Sequence, residues 1–423
     1  MTSHPAADAP IGRLVARTVE VVAPDSMPAS LLDLLPSDEP MAWLRRGEGM
    51  VAWGVAARCR TSGPDRFADA ADWWHSVSSA AFVRDGVQVP GTGLISFGSF
   101  GFADDTGDSV LIVPRVVVGS RRGRSWVTVI GEDELAVMPD LSHQPSPPAP
   151  RNVVFADGAM SGAAWETVVA DAVSRIASGE LEKVVLARDL VATADDDIDV
   201  RWPLGRLAAD YEMCWTFHVD GLFGATPEML VRRERGLVTS RVLAGTIRRT
   251  GDDEADVALA GQLARSSKDL EEHEYAVRSV AESLAPYCSS TNVPEVPFVL
   301  HLPNVMHLAT DVAGVVHDSD GANVLDLAAA LHPSAAVGGT PTKVAVELID
   351  EIEGMDRGRY AGPVGWMDAA GDGEFGIALR SAEIRGNQVR LFAGCGIVAD
   401  SDPEAELAEA QAKFLPVRDA LTE

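Results

Sequence analysis

Short apolar runs rich in Val, Ile and Phe fill residues 49–131, each closed by Gly, Pro or Asp. That punctuation predicts strands over residues 50–57, 93–102, 109–118 and 125–130, with one helix over 67–81. Residues 1–45 mix Pro-containing turns with shorter apolar stretches. Pro139, Pro145, Pro147, Pro148 and Pro150 then exclude helix and central strand, so residues 138–152 read as a linker or surface loop. The break sets a region 1–150 apart from a region 151–423.

Beyond it the period changes repeatedly. Helices are predicted over 161–179, 266–287, 323–331, 342–352 and 403–421. Strands are predicted over 183–192, 215–219, 222–224, 229–233, 237–240, 296–300, 306–315, 374–380, 381–385 and 388–394. In the long helix over 266–287, Leu270, Val277, Val280 and Leu284 recur at helical spacing and form the core face. Strands neither alternate regularly with helices nor cluster alone. The fold class is therefore α+β, with large, mainly antiparallel sheets rather than a doubly wound nucleotide-binding sheet.

Charge narrows the function. Lys and Arg number 35 against 63 Asp and Glu, a formal net charge of −28. Such a chain lacks the basic footprint of a nucleic-acid binder and is repelled by anionic membranes. No stretch has the roughly 18 apolar residues of a membrane span, and the first residues lack a secretory signal pattern. Cys59, Cys214, Cys288 and Cys395 lie far apart without a CxxC pair, against both a thiolate zinc site and a disulfide framework. The expectation is a soluble, cytoplasmic protein. An anionic small molecule would bind it only where local cations or a metal reverse the field.

Several residues offer chemistry. Ser401-Asp402-Pro403-Glu404 reads as a capping box at the start of the last helix. Glu406, Glu409 and Lys413 then share one helix face, which alone reads as a solvated Glu409–Lys413 pair. Asp269 and Glu272 share a face of the long helix, where Lys268 and Glu272 read as a second solvated pair. Two such helices could instead meet at a hard cation such as Mg²⁺. The turns Gly338-Gly339 and Gly394-Cys395-Gly396 could offer backbone N–H groups to a carboxylate, or be turns only. Lys183 begins an apolar strand, as a solvated edge lysine or a buried base. Glu228, after Thr226-Pro227, is a surface carboxylate or an acid, and Arg380 a strand-end cation or a carboxylate clamp. No P-loop, Rossmann fingerprint, HExxH or GxSxG is present.

The order and company of these residues resemble the chorismate-utilising enzymes, which include isochorismate, salicylate, anthranilate and aminodeoxychorismate synthases. The matching stretches are EKVVLAR at 182–188, ATPEML at 225–230, LAGT at 243–246 and KDLEEH at 268–273. They continue with HPSAAVGG at 332–339, YAGPVGW at 360–366, ALRS at 378–381 and residues 393–413. Residues 1–150 match only through GSFGF at 98–102. The resemblance implies one four-layer unit with two large antiparallel sheets, completed by the N-terminal region. It implies chorismate as substrate and Mg²⁺ as cofactor, with monomer and homodimer both open. The family's metal glutamates fall on Glu272 and Glu409, with Asp269 and Glu406 in support. Its carboxylate-binding positions fall on Arg380 and Lys413, while Gly245, Thr246, His307, Ala336, Tyr360, Gly394 and Gly396 would line the same pocket. Ala410 stands where Thr is common, and Thr250 interrupts the usual Arg-Arg-Gly.

Three positions choose among members. Lys183 stands where water-activating members carry Lys. Ala244 stands where aminodeoxychorismate synthases tend to carry an attacking Lys. Ala336 aligns with a position that is often Thr in pyruvate-eliminating members and Ala in isochorismate synthases. All three favour an isochorismate synthase, an isomerase, over a salicylate synthase and over a non-catalytic chorismate-binding protein. Lys183 would be the base that activates water for ring C2. Glu228 would be the acid that protonates the departing C4 hydroxyl. Such a pair works when burial and neighbouring charges push the two groups to opposite protonation states. The product would feed menaquinone, salicylate or siderophore synthesis.

Overall fold

The computed structural model describes residues 12–21, 28–104, 109–302, 305–317 and 321–422, with the side chains of Lys268 and Glu272 outside that description. Its organising strand is Ser109–Arg121, which pairs antiparallel with both Glu48–Thr61 and Ile95–Ser99. From this fork two sheets diverge. One runs through Met41–Arg45, Trp215–Val219, Leu222–Thr226, Ser381–Arg385, Gln388–Ile397 and Lys183–Thr193. The other runs through Pro363–Asp368, Gly373–Ile377, Met229–Glu234, Leu237–Arg248 and Val305–Val316. Nearly all the pairing is antiparallel; Leu14–Glu20 beside Phe82–Asp85 is parallel.

The two sheets pack face to face. Trp43, Trp215, Phe217 and Leu222 from one meet Phe97, Met229, Val364 and Trp366 from the other in a shared core. Among the described residues eight α-helices cover the outer faces: α1 (Arg66–Ala80), α2 (Gly162–Ala177), α3 (Arg201–Asp210), α4 (Asp253–Leu263), α5 (Ser267–Leu284), α6 (Val324–Leu331), α7 (Thr342–Ile352) and α8 (Pro403–Leu421). Helices α3 and α8 seat Leu204, Leu207, Phe414 and Val417 on Leu190, Phe223 and Leu391 of the first sheet. Helices α5 and α6 bring Val277, Val280, Leu325 and Ala328 to Val231, Val238 and Val242 of the second. The outcome is the expected four-layer α/β arrangement, helix–sheet–sheet–helix.

Covering both faces explains the run-like strand pattern. Every residue of Trp215–Val219, Leu222–Thr226 and Gly373–Ile377 is buried, so polar alternation has no place to appear. Strands of the N-terminal region sit inside this architecture, with Met41–Arg45 against Trp215–Val219 and Ile95–Ser99 against Pro363–Asp368. The proline-rich residues 138–151 carry no regular structure.

Several expectations need correction. Helices α3 and α4 carried no readable period: α3 buries only Pro203, Leu204 and Leu207, and α4 only Asp256 and Leu263. The strand expected over 237–240 continues to Arg248, because its full length pairs with Val305–Val316. The capping box at Ser401 does not form. Asp402 is the cap, accepting from the Ala405 N–H at 2.9 Å, while Ser401 turns to Glu406. Arg380 is not in a strand, since Gly373–Ile377 ends three residues earlier. It sits in a bend with φ of 49°, a left-handed conformation uncommon for a long side chain. Gly394-Cys395-Gly396 is not a turn but part of the strand Gln388–Ile397, paired with residues 185–187, and Gly338 and Gly339 are not an open anion nest. Gly339 pairs with Val184, and the Gly338 carbonyl accepts from the Val185 N–H. A Cβ on Gly339, whose φ is +142°, would lie 2.2 Å from the Lys183 carbonyl oxygen.

Candidate active site

Where the first sheet's Lys183–Thr193 and Gln388–Ile397 approach α8 and the strand Leu237–Arg248, a cavity of about 420 Å³ opens. Lys183, Glu228, Gly245, Thr246, Asp269, His307, Ala336, Tyr360, Arg380, Gly394, Gly396, Glu406, Glu409 and Lys413 all line it. These are the residues singled out from the sequence, drawn from positions 183 to 413. The remaining one, Glu272, lies on α5, and its side chain is outside the described residues.

Glycines shape the basic wall. A Cβ on Gly396 would come within 2.9 Å of Lys183 Cε, so its bare backbone leaves room for the lysine stem. Lys183 is half-buried at the start of a strand paired on both edges, not a solvated edge residue. Tyr360 stacks on Phe392, ring centroids 5.0 Å apart, and its hydroxyl lies 3.1 Å from where a Gly394 Cβ would sit. Lys413 donates to the Gly394 carbonyl at 2.8 Å and to Glu409 at 2.6 Å. The Glu409–Lys413 pair thus forms, but in the cavity wall with Lys413 largely enclosed, not on a solvated face. Burial opposes ionisation of Glu409; Lys413 and then Arg380 outweigh it and hold its pKa below the usual carboxylate range.

Glu228 immediately precedes the strand Met229–Glu234 and is buried. Burial pushes its pKa up to about 8 against the pull of Arg380, Lys183 and Lys413, so at neutral pH it is mostly the neutral acid. His307 lines the same cavity. Burial, reinforced by Arg380 and Lys413, pulls its pKa down to about 3. Its Nδ1 pairs with Thr246 Oγ1 at 2.9 Å, and its Nε2 is buried without a partner among the described residues. A register shift between Ala244 and Thr246 places Gly245, with φ of +77°, at a bulge facing Asp269.

The cavity also carries carboxylates. Asp269, Asp400, Asp402, Glu406 and Glu409 line it. Ligand atoms of Glu406, Glu409 and Cys395 lie within 4.8 Å of one another. Burial holds the Cys395 thiol in its neutral form, so the ionisable donors there are hard carboxylate oxygens. Ser401 donates to Glu406 at 2.8 Å. An oxygen donor set of this kind fits Mg²⁺, and an anionic ligand facing these carboxylates needs a cation between.

A supporting pair escaped the sequence reading. Arg357 and Glu353 are both buried and joined at 2.5 Å. Arg357 also donates to the Val337 and Val185 carbonyls, and Glu353 accepts from the Ala187 N–H. The pair ties the Lys183 strand to the Ala336–Val337 wall. Its i,i+4 spacing was visible, but Arg357 lies beyond the end of α7, where spacing predicts no contact.

Comparison with known proteins gives the family and the fold. The family described as chorismate binding enzyme matches residues 36–422. The chain is 33% identical over 385 residues to isochorismate synthase MenF of Bacillus subtilis (strain 168), covering 84% of this chain and 81% of that protein. It is 34% identical over 404 residues to the salicylate biosynthesis isochorismate synthase of Pseudomonas aeruginosa, covering 90% and 84%. The solved structure of MenF, the menaquinone-specific isochorismate synthase from Escherichia coli, shares the fold with a TM-score of 0.80. It is 24% identical, covering 100% of this chain and 96% of that one.

Proposed function

The chain belongs to the chorismate-binding enzyme family, and we propose that it is an isochorismate synthase acting on chorismate with Mg²⁺. The observation that carries the reading is that the buried Glu228, its carboxyl pushed toward the neutral form by that burial, lines the same cavity as Lys183. Lys183 takes a proton from water, whose oxygen bonds to ring C2. The ring double bonds shift, the C4–O bond breaks, and Glu228 protonates the departing hydroxyl, which leaves as water. One water enters and one leaves, so substrate and product are isomers.

Arg380 and Lys413 bind and orient the two carboxylates of chorismate. His307, kept neutral, and Thr246 add hydrogen bonds without adding charge. Ala244 presents no amine to attack the ring, which disfavours the covalent route of amination. Glu409 and Glu272 would hold Mg²⁺, supported by Asp269 and Glu406. The bound ion would neutralise a substrate carboxylate and the carboxylates that hold it.

The test is direct. Purified protein, chorismate and Mg²⁺ are mixed and the products separated by chromatography. Isochorismate without pyruvate is the expected result. Salicylate with pyruvate would instead assign a salicylate synthase, and binding without turnover a non-catalytic chorismate-binding protein. The similar relatives serve menaquinone and salicylate synthesis by their names. Isochorismate supply to menaquinone, salicylate or siderophore synthesis is the corresponding role here.

A further inference from the structure

Glu228 has a second side. Besides the active-site cavity it lines a separate pocket of about 20 Å³ between α5, the strand Leu237–Arg248 and the loop before α7. The polar groups of this pocket are Ser240, Ser279 and Ser334, closed by Leu230 and Val280. Ser334 Oγ is buried with no hydrogen-bond partner among the described residues. Ser240 is buried, while Ser279 on α5 is half-exposed. Arg241, also in the wall, is already paired with Asp311 at 2.7 Å. The volume suits one water molecule, which needs roughly 10–15 Å³ and two or more polar partners.

The proposed reaction leaves a proton imbalance that this pocket can correct. Activating water leaves its proton on Lys183, and releasing the C4 hydroxyl removes one from Glu228. Each turnover therefore ends with Lys183 carrying an extra proton and Glu228 lacking one. On the active-site side Glu228 faces the cations Arg380, Lys183 and Lys413, whose charge opposes delivery of a proton from that direction once product has left. We propose that the serine pocket is the return path: a water held by Ser334 and Ser240 passes protons inward from Ser279 to the Glu228 carboxylate. Lys183 releases its proton separately, through the active-site opening. Ser334 is a positioning residue here, acting through water on the acid. The inference rests on the isochorismate synthase reading above.

The experiment compares wild type with Ser334→Ala, Ser240→Ala and Ser334→Thr, all as full-length enzyme with Mg²⁺. In Ser334→Ala, kcat should fall about tenfold, a part of the 10²–10⁴ that general acid catalysis supplies, with kcat/KM nearly unchanged. Resetting the free enzyme then limits turnover. Inhibition by isochorismate should change from competitive to noncompetitive, the solvent deuterium effect on kcat should rise, and added imidazole buffer should restore kcat. Ser334→Thr, which keeps the hydroxyl, should behave as wild type. Ser240→Ala repeats the test at a second member, should Ser334→Ala not fold. Unchanged inhibition pattern and isotope effect in the folded Ala variants overturn the proposal. So does an equal fall in kcat and kcat/KM, or a loss shared by Ser334→Thr. If wild type itself forms no isochorismate, the functional reading fails first, and that result is distinct from each of these.

Discussion

Glu228 carries two consequences of one burial. Its folded pKa of about 8 lies above the ordinary 4.5, so the folded protein holds a proton there that the unfolded chain releases. Stability from this group therefore declines as pH rises from about 4.5 to about 8. Glu228→Gln should lose turnover by at least about 10²-fold and gain stability, up to about 3 kcal/mol at pH 7 from the size of the shift. Denaturation midpoints of the two proteins at pH 5 and pH 8 check the sign. The gap should widen at the higher pH, and a constant gap would remove Glu228 as a neutral buried acid. The wild-type rate should also fall as pH rises through about 8, when the acid loses its proton. Lys183→Ala should abolish turnover with an unshifted melting temperature, and normal activity would sink its role as base. Glu409→Gln should raise the Mg²⁺ concentration for half-maximal rate by about tenfold or more, read from a metal titration.

Pairing between elements decides whether those residues meet. The strand Lys183–Thr193 is gripped on one edge by Gln388–Ile397 and on the other by Gly339–Thr340 and by Val154–Asp157. The Arg357–Glu353 pair fastens it to the Ala336 wall. Glu353→Gln leaves Arg357 charged, buried and without its carboxylate partner, a change expected to cost about 3–5 kcal/mol in chemical denaturation. Gly396→Ala probes the same contact from the other strand. Its new methyl meets the Lys183 stem, so kcat should fall about tenfold or more while the fold survives, because small displacements of a reacting group are costly. A wild-type kcat in Gly396→Ala would mean that Lys183 has freedom to move aside.

At the scale of the molecule the two sheets share one core and one fork. Trp43 and Phe97 from the N-terminal region pack with Trp215, Phe217 and Trp366 of the later region. A fragment starting at residue 151 would leave the edges of Trp215–Val219 and Pro363–Asp368 unpaired and strip that shared core. It is expected to aggregate when expressed alone, whereas the full chain unfolds in a single transition. Exposed apolar edges of this kind drive association. No described helix is long and apolar enough to cross a membrane. With a chain at −28, the cations Lys183, Arg380 and Lys413 gather in one cavity that is also lined by carboxylates, Glu409 in contact with Lys413. That arrangement suits a small dianion held together with a divalent cation.

Much of this was written in the local sequence. The long helix α5 was legible because one buried face imposes its spacing on the residues, and Lys183–Thr193 because a short apolar run buried on both faces marks a covered strand. So were the candidate site residues, through the company of their motifs. Helices α3 and α4 were not, since helices burying so few side chains leave no stripe to read. Sequence also could not say that Glu409–Lys413 lies in a cavity wall rather than in water, because i,i+4 spacing is the same in both places. Nor could it reveal the left-handed bend at Arg380, the choice of Asp402 over Ser401 as cap, or the Arg357–Glu353 clamp. Those depend on which groups the folded sheets bring within hydrogen-bond reach and shield from water. The acid character of Glu228 belongs with them: the carboxyl is ordinary in sequence, and its enclosure between two packed sheets and their helices is what keeps the proton on.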